Sequence, residues 1–143
     1  MNKLLLVSAI CAGLMSCKKT DVIEVDKQFD VQDQQTVMVA LPASKPQVRV
    51  TKIVDSRCPT GVQCIWAGQA AVDVALGTDT DSAHVADLYL GQGLGQGATW
   101  HNRDSAAVTL AGQPYWLHLL AVNPYPSVNS SGKKSATFRL TIR

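Results

Sequence analysis

Ala136-Thr137-Phe138-Arg139-Leu140-Thr141-Ile142-Arg143 alternates without interruption: Ala136, Phe138, Leu140 and Ile142 share one parity, Thr137, Arg139, Thr141 and Arg143 the other. A period of two is the mark of a strand buried on one face, because successive side chains leave a strand on opposite sides. The same period recurs upstream. Val37, Val39 and Leu41 alternate with Thr36, Met38 and Ala40 and stop at Pro42. Val48 and Val50 alternate with Arg49 and Thr51, but Lys52 then takes the apolar parity and Ile53 the polar one. A β-bulge there restores the pattern. Trp66, Ala70, Val72, Val74 and Leu76 share a parity, and Val85–Leu90, Ala107–Leu110 and Tyr115–Val122 supply further strands. Tyr115–Val122 is apolar on both parities except at His118, which predicts a central, well-covered strand.

Turn residues separate these runs: Pro42–Pro46, Gly77–Ser82, Gly112–Pro114 and Asn123–Gly132 bring Pro, Gly, Asn or Asp where the chain must reverse. No segment carries a helical stripe. Seven or eight short antiparallel strands therefore predict an all-β, two-sheet sandwich of immunoglobulin-like size, with a small barrel as the alternative.

Composition agrees with one packed domain. The chain has 143 residues, 46% of them hydrophobic and 17% charged, which excludes wholesale disorder. A formal net charge of +2 argues against nucleic acid, which requires a concentrated basic face to displace counterions.

The N-terminus reads as an address. Met1–Lys3 is a short positive start, and Leu4–Leu14 is an apolar run broken only by Ser8 and Gly13. Eleven helical residues rise only about 16 Å, well short of the ~30 Å hydrocarbon core, so a permanent span is disfavoured. Leu14-Met15-Ser16-Cys17 resembles the lipobox of bacterial lipoproteins. That resemblance implies a signal peptide over 1–16, cleavage before Cys17, and diacylglycerol and a further acyl chain such as palmitate on Cys17. Several acyl chains give durable anchoring where one binds only marginally. The expected address is the bacterial cell envelope, on the outer membrane, at its periplasmic or outward face, with membrane lipid as the partner of Cys17. Residues 17–35 read as a lipidated terminus and polar tether, with Val22, Ile23 and Val25 able to start a short edge strand, and residues 36–143 as the sandwich.

Of four cysteines, Cys11 leaves with the signal and Cys17 takes the lipid. Cys58 and Cys64 remain, an even pair in an oxidising compartment, and predict a disulfide. The segment around them, Asp55-Ser56-Arg57-Cys58-Pro59-Thr60-Gly61-Val62-Gln63-Cys64-Ile65-Trp66-Ala67-Gly68, is the most distinctive in the chain. Its DSRCP, second cysteine and WAG are similar to a pattern of small secreted or lipidated bacterial proteins of uncharacterised function. Cys64 and Trp66 share a parity, predicting that bridge and indole pack into one end of the core. Two roles suit the loop. Arg57, Pro59, Thr60, Gly61 and Val62 are candidates for binding an envelope protein partner, even in the manner of a protease inhibitor, because a preorganised loop loses little freedom on binding. Alternatively the bridge only staples two strands, and on either reading Arg57→Ala leaves folding intact.

Other chemistry is weaker. His84, His101 and His118 are far apart in sequence, and an alternative metal-binding envelope protein requires the fold to bring them together. Asp79 and Asp81 suit a hairpin turn better than calcium. Gly91, Gly93, Gly95 and Gly97 read as a mobile loop rather than a phosphate cradle. Glu24 is the sole glutamate, and neither a nucleophile elbow nor an H-E-x-x-H is present. The expectation is a non-catalytic structural or binding module without catalytic residues, metal or cofactor. Trp100 and the Pro124-Tyr125-Pro126 turn are further candidate contact points.

Overall fold

A computed structural model describes residues 21–77, 82–93 and 99–143, with the backbone alone at 82–85. Ten strands are described and no helix: β1 (Val22–Ile23), β2 (Gln28–Gln32), β3 (Thr36–Val39), β4 (Gln47–Asp55), β5 (Gln69–Gly77), β6 (Ser82–Gln92), β7 (Trp100–His101), β8 (Asp104–Leu110), β9 (Gln113–Asn123) and β10 (Ser135–Ile142). They form a six-stranded sheet in the order β1-β3-β4-β5-β6-β7 and a four-stranded sheet in the order β2-β10-β9-β8. Every pairing is antiparallel except β1 with β3. The two sheets stay separate, so this is the expected β-sandwich and not a closed barrel.

The alternation read from the sequence is the alternation that is buried. Val37, Val39, Val48, Val50, Val72 and Val74 line the inner face of the large sheet, and Val31, Leu117, Leu119, Ala136, Phe138 and Leu140 that of the small one. The slip at Lys52 is a bulge: the β4–β5 register shifts between Val50 and Lys52, and Ile53 packs beside the core. β9 is central in its sheet, between β8 and β10. Its outer face is only half covered at Trp116, His118 and Leu120. Ile142 departs from its parity mates and is 72% exposed.

The tether is the main correction. Residues 21–35 are not a linker. Gln28-Phe29-Asp30-Val31-Gln32 alternates exposed and buried, pairs with β10 and stacks Phe29 on Phe138 with ring centroids 5.8 Å apart. Thr137 donates to Asp30 at 2.6 Å across the same pair. Only two apolar side chains carry this strand, so its polar outer face masks it. β1 is held likewise: the Met38 N–H donates to the Asp21 carbonyl and the Ala40 N–H to that of Ile23. The packed body thus includes strands within residues 21–35 as well as 36–143. Gly91 is also no loop residue, since it lies in β6 opposite Gln69 and His101. Gly95, Gly97, Asp79, Asp81, Cys11 and Cys17 lie outside the described residues.

The register fixes two ends. Val22 pairs with Met38, which pairs with Gln47 at the start of β4, so β1 lies level with the beginning of that strand. Residues 40–46, the β8–β9 turn at Ala111 and Gly112, and Arg143 lie at this end. Asp55 closes β4 at the other end, where the segments 56–68, 102–103 and 124–134 also gather. Both edges of the large sheet are two-residue strands, whereas β8 offers a seven-residue edge that no described strand pairs on its outer side.

Candidate functional site

The Cys58–Cys64 disulfide is formed. Below it, the β4–β5 ladder continues past its strands. The Ser56 N–H donates to the Gln69 carbonyl and the Cys58 N–H to that of Ala67, at 2.8 and 2.7 Å. Gly68 makes this narrowing possible: its φ is +75°, and a Cβ there would lie 2.0 Å from the Ser56 carbonyl oxygen. Further out, the Thr60 N–H donates to Pro126, tying the loop to the segment after β9.

A buried ion cluster fixes the loop's root. The Asp55 side chain is only 2% exposed. Its Oδ1 accepts from Arg57 Nε and its Oδ2 from Arg57 Nη2, both at 2.8 Å, and Oδ2 also accepts from Lys134 Nζ at 2.8 Å. Arg57 Nη2 donates in addition to the Val122 carbonyl at 2.7 Å, and Lys134 Nζ to that of Pro124 at 2.6 Å. The guanidinium lies over the Tyr125 ring, 4.4 Å from its centroid. Burial by itself pushes the Asp55 carboxyl upward, but the hydrogen bonds and charges of Arg57 and Lys134 outweigh it and hold it below the ordinary carboxylate range. The end of β4, the end of β9 and the segment leading into β10 therefore meet on one carboxylate.

Arg57 is accordingly held at the root of the loop rather than presented on its surface. It is 8% exposed, with Nε and Nη2 bonded to Asp55 and Val122, so it is not the exposed loop contact that was expected. A cation two residues from an aspartate satisfies that carboxylate locally, and this was the legible signal. Pro59 is half-buried, while Thr60, Gly61 and Val62 are exposed. The bridge and indole do not pack into the core either: Cys64 is exposed and Trp66 is 39% exposed, because the hairpin carries both beyond the end of the sandwich. Ile65, between them, is fully exposed, and Val62 is 46% exposed. The loop therefore leaves Val62 inside the disulfide ring, and Ile65 and Trp66 just after it, exposed on a braced stalk.

Trp100 and Tyr125, separate candidates in the sequence, share a cleft of about 170 Å³ at this same end, together with Arg57, Asn102, Leu120 and Asn123. A neighbouring cleft of about 410 Å³ includes Tyr89, His101 and Asp104. Among the described residues no three His, Cys, Asp or Glu side chains converge on a metal position. His118 Nε2 is 3.0 Å from Thr141 Oγ1, His101 Nε2 is 3.2 Å from Thr99 Oγ1, and the side chain of His84 lies outside the described residues. No helix among the described residues is long and apolar enough to cross a membrane. No protein-family model, curated protein or solved structure matches the chain.

Proposed function

We propose that this chain is a non-catalytic, lipid-anchored module of the bacterial envelope that binds a protein partner through the tip of its disulfide loop. The observation that carries the reading is the exposed Val62, Ile65 and Trp66 in and beside a disulfide-closed loop whose root is an ion cluster. Large apolar and aromatic side chains in a rigid setting are what interface centres use, since they bury much area and lose little freedom. The contact residues move accordingly from Arg57 to the tip. A Cys58–Cys64 bridge suits an oxidising compartment, and Leu14-Met15-Ser16-Cys17 supports the anchor.

Anchor and tip are also separated. Cys17 precedes Val22 by five residues, at most about 17 Å of extended chain. Val22 lies level with Gln47, and the eight steps from there to Asp55 span about 26 Å. The leash is shorter than the strand, so with β4 upright on the membrane a Cys17 anchor leaves the loop clear of the bilayer.

A photo-crosslinking residue at position 65, compared with one at position 111, tests this in intact cells. The expected result is one discrete adduct from position 65 and none from position 111, abolished by Trp66→Ser in a protein that still melts normally. Equal labelling from both positions overturns the loop-tip reading. An unacylated, uncleaved N-terminus by mass spectrometry overturns the anchor.

A further inference from the structure

We infer that the cleft between Trp100 and Tyr125 binds one ring of an acidic saccharide. Its walls come from both sheets: Trp100 and Asn102 lie in and just after β7, Asn123 ends β9, and Tyr125 follows it. Both aromatics keep ring surface free, Trp100 being 52% and Tyr125 42% exposed. Trp100 Nε1 donates to Asn102 Oδ1 at 2.6 Å, which fixes the indole before any ligand arrives. A flat apolar ring beside amide side chains matches a pyranose, which has an apolar C–H face and a polar rim. At about 170 Å³ the cleft is smaller than the ~300 Å³ at which drug-sized sites begin, so it holds a single ring with its neighbours in solvent.

The charge of the ligand follows from Arg57. Its Nε and Nη2 are taken by Asp55 and Val122, whereas Nη1 makes no hydrogen bond to a described residue. Arg57 itself lines the cleft. Asp55 carries one negative charge against the two positive charges of Arg57 and Lys134, which leaves the cluster at +1. Arg103 and Asp104 nearby offset each other. A carboxylate on the sugar supplies the missing anion and the acceptor for Nη1. An extended peptide is a poorer fit, because β7, the strand edge at this site, is only two residues long and offers little main chain for pairing.

This inference does not depend on the loop tip. The test is calorimetric titration of the full chain in detergent with trimers of galacturonate, mannuronate and guluronate, and with the neutral galactose and mannose trimers. At least one uronate trimer is expected to bind roughly tenfold more tightly than either neutral trimer. Trp100→Ala is expected to weaken that binding about tenfold, the loss of one stacking face. Asn123→Asp, which places a second anion at the rim, is expected to weaken the uronate about fivefold, and it serves if Trp100→Ala does not fold. Binding that is unaltered in Ile65→Ser separates this site from the tip. No saturable binding of any uronate trimer overturns the inference. So do equal affinities for acidic and neutral trimers, unchanged binding in a folded Trp100→Ala, or preference for an N-acetylated peptide with a free C-terminal carboxylate.

Discussion

Arg57 holds three segments together through side-chain bonds to Asp55 and Val122 and its contact with Tyr125. Removing it leaves Asp55 buried with only Lys134 for company, and breaking a buried pair from one side costs about 3–5 kcal/mol. Arg57→Ala is therefore expected to lower the urea midpoint substantially, and Arg57→Lys to recover only part, since an ammonium cannot serve Oδ1, Oδ2 and a carbonyl in one plane. The carboxylate adds a dependence on pH. Because the folded state lowers the Asp55 pKa below its unfolded value, the stabilisation is present above an unfolded pKa near ~4 and is lost as pH falls through the lower folded value. Denaturation followed from pH 7 down to pH 2 is expected to show that acid limb, and Asp55→Asn to flatten it while being weaker at neutrality. Gly68 and Gly61 give a paired comparison. Both have positive φ, so an alanine at either costs about 1–2 kcal/mol in backbone conformation. Only Gly68→Ala also collides with Ser56, while nothing lies within 4 Å of a Cβ at Gly61. Gly68→Ala is expected to unfold the hairpin root, and Gly61→Ala to leave a folded protein in thermal melts.

Among the elements, β2 carries residues 28–32 into the packed body. Phe29→Ala is expected to cost about 3–5 kcal/mol by denaturant titration, a large core truncation that a residue in a free tether would not register. The strand is illegible in the sequence because Gln28, Asp30 and Gln32 face solvent and only Phe29 and Val31 face inward, too few apolar positions to stand out from a polar run. Longer strands were readable for the opposite reason. Three fully buried residues in β10 and three in β5 give a period that no single exception hides, and even the bulge at Lys52 was legible as a slip of parity. The loop was legible in its covalent chemistry and not in its orientation. Cysteine spacing specifies the bridge, but whether Arg57 turns in or out depends on Val122, Tyr125 and Lys134, which are more than sixty residues away and carry no local signal. Strand parity failed for Trp66 because parity holds only while the ladder lasts, and the hairpin leaves the sheet before that residue.

The whole molecule has one busy end. Loop, ion cluster and cleft gather where β4 and β9 finish, and β1 lies level with the opposite end. If Cys17 carries the lipid, a fluorophore at position 111 is expected to transfer energy to a lipid-borne acceptor more efficiently than one at position 65 in reconstituted vesicles. Equal transfer would mean that the body lies on its side.

The unequal lengths of the sheet margins have their own consequence for crowding. Two-residue strands at both margins of the large sheet give a neighbouring molecule almost nothing to zip onto. β8 is different: Asp104-Ser105-Ala106-Ala107-Val108-Thr109-Leu110 holds no lysine, arginine or proline to repel a stranger. Where copies are concentrated in two dimensions, clumping is expected to start along that strand. A single outward charge, Ala107→Lys, is expected to raise the temperature at which heated samples scatter light while leaving the melting temperature in place.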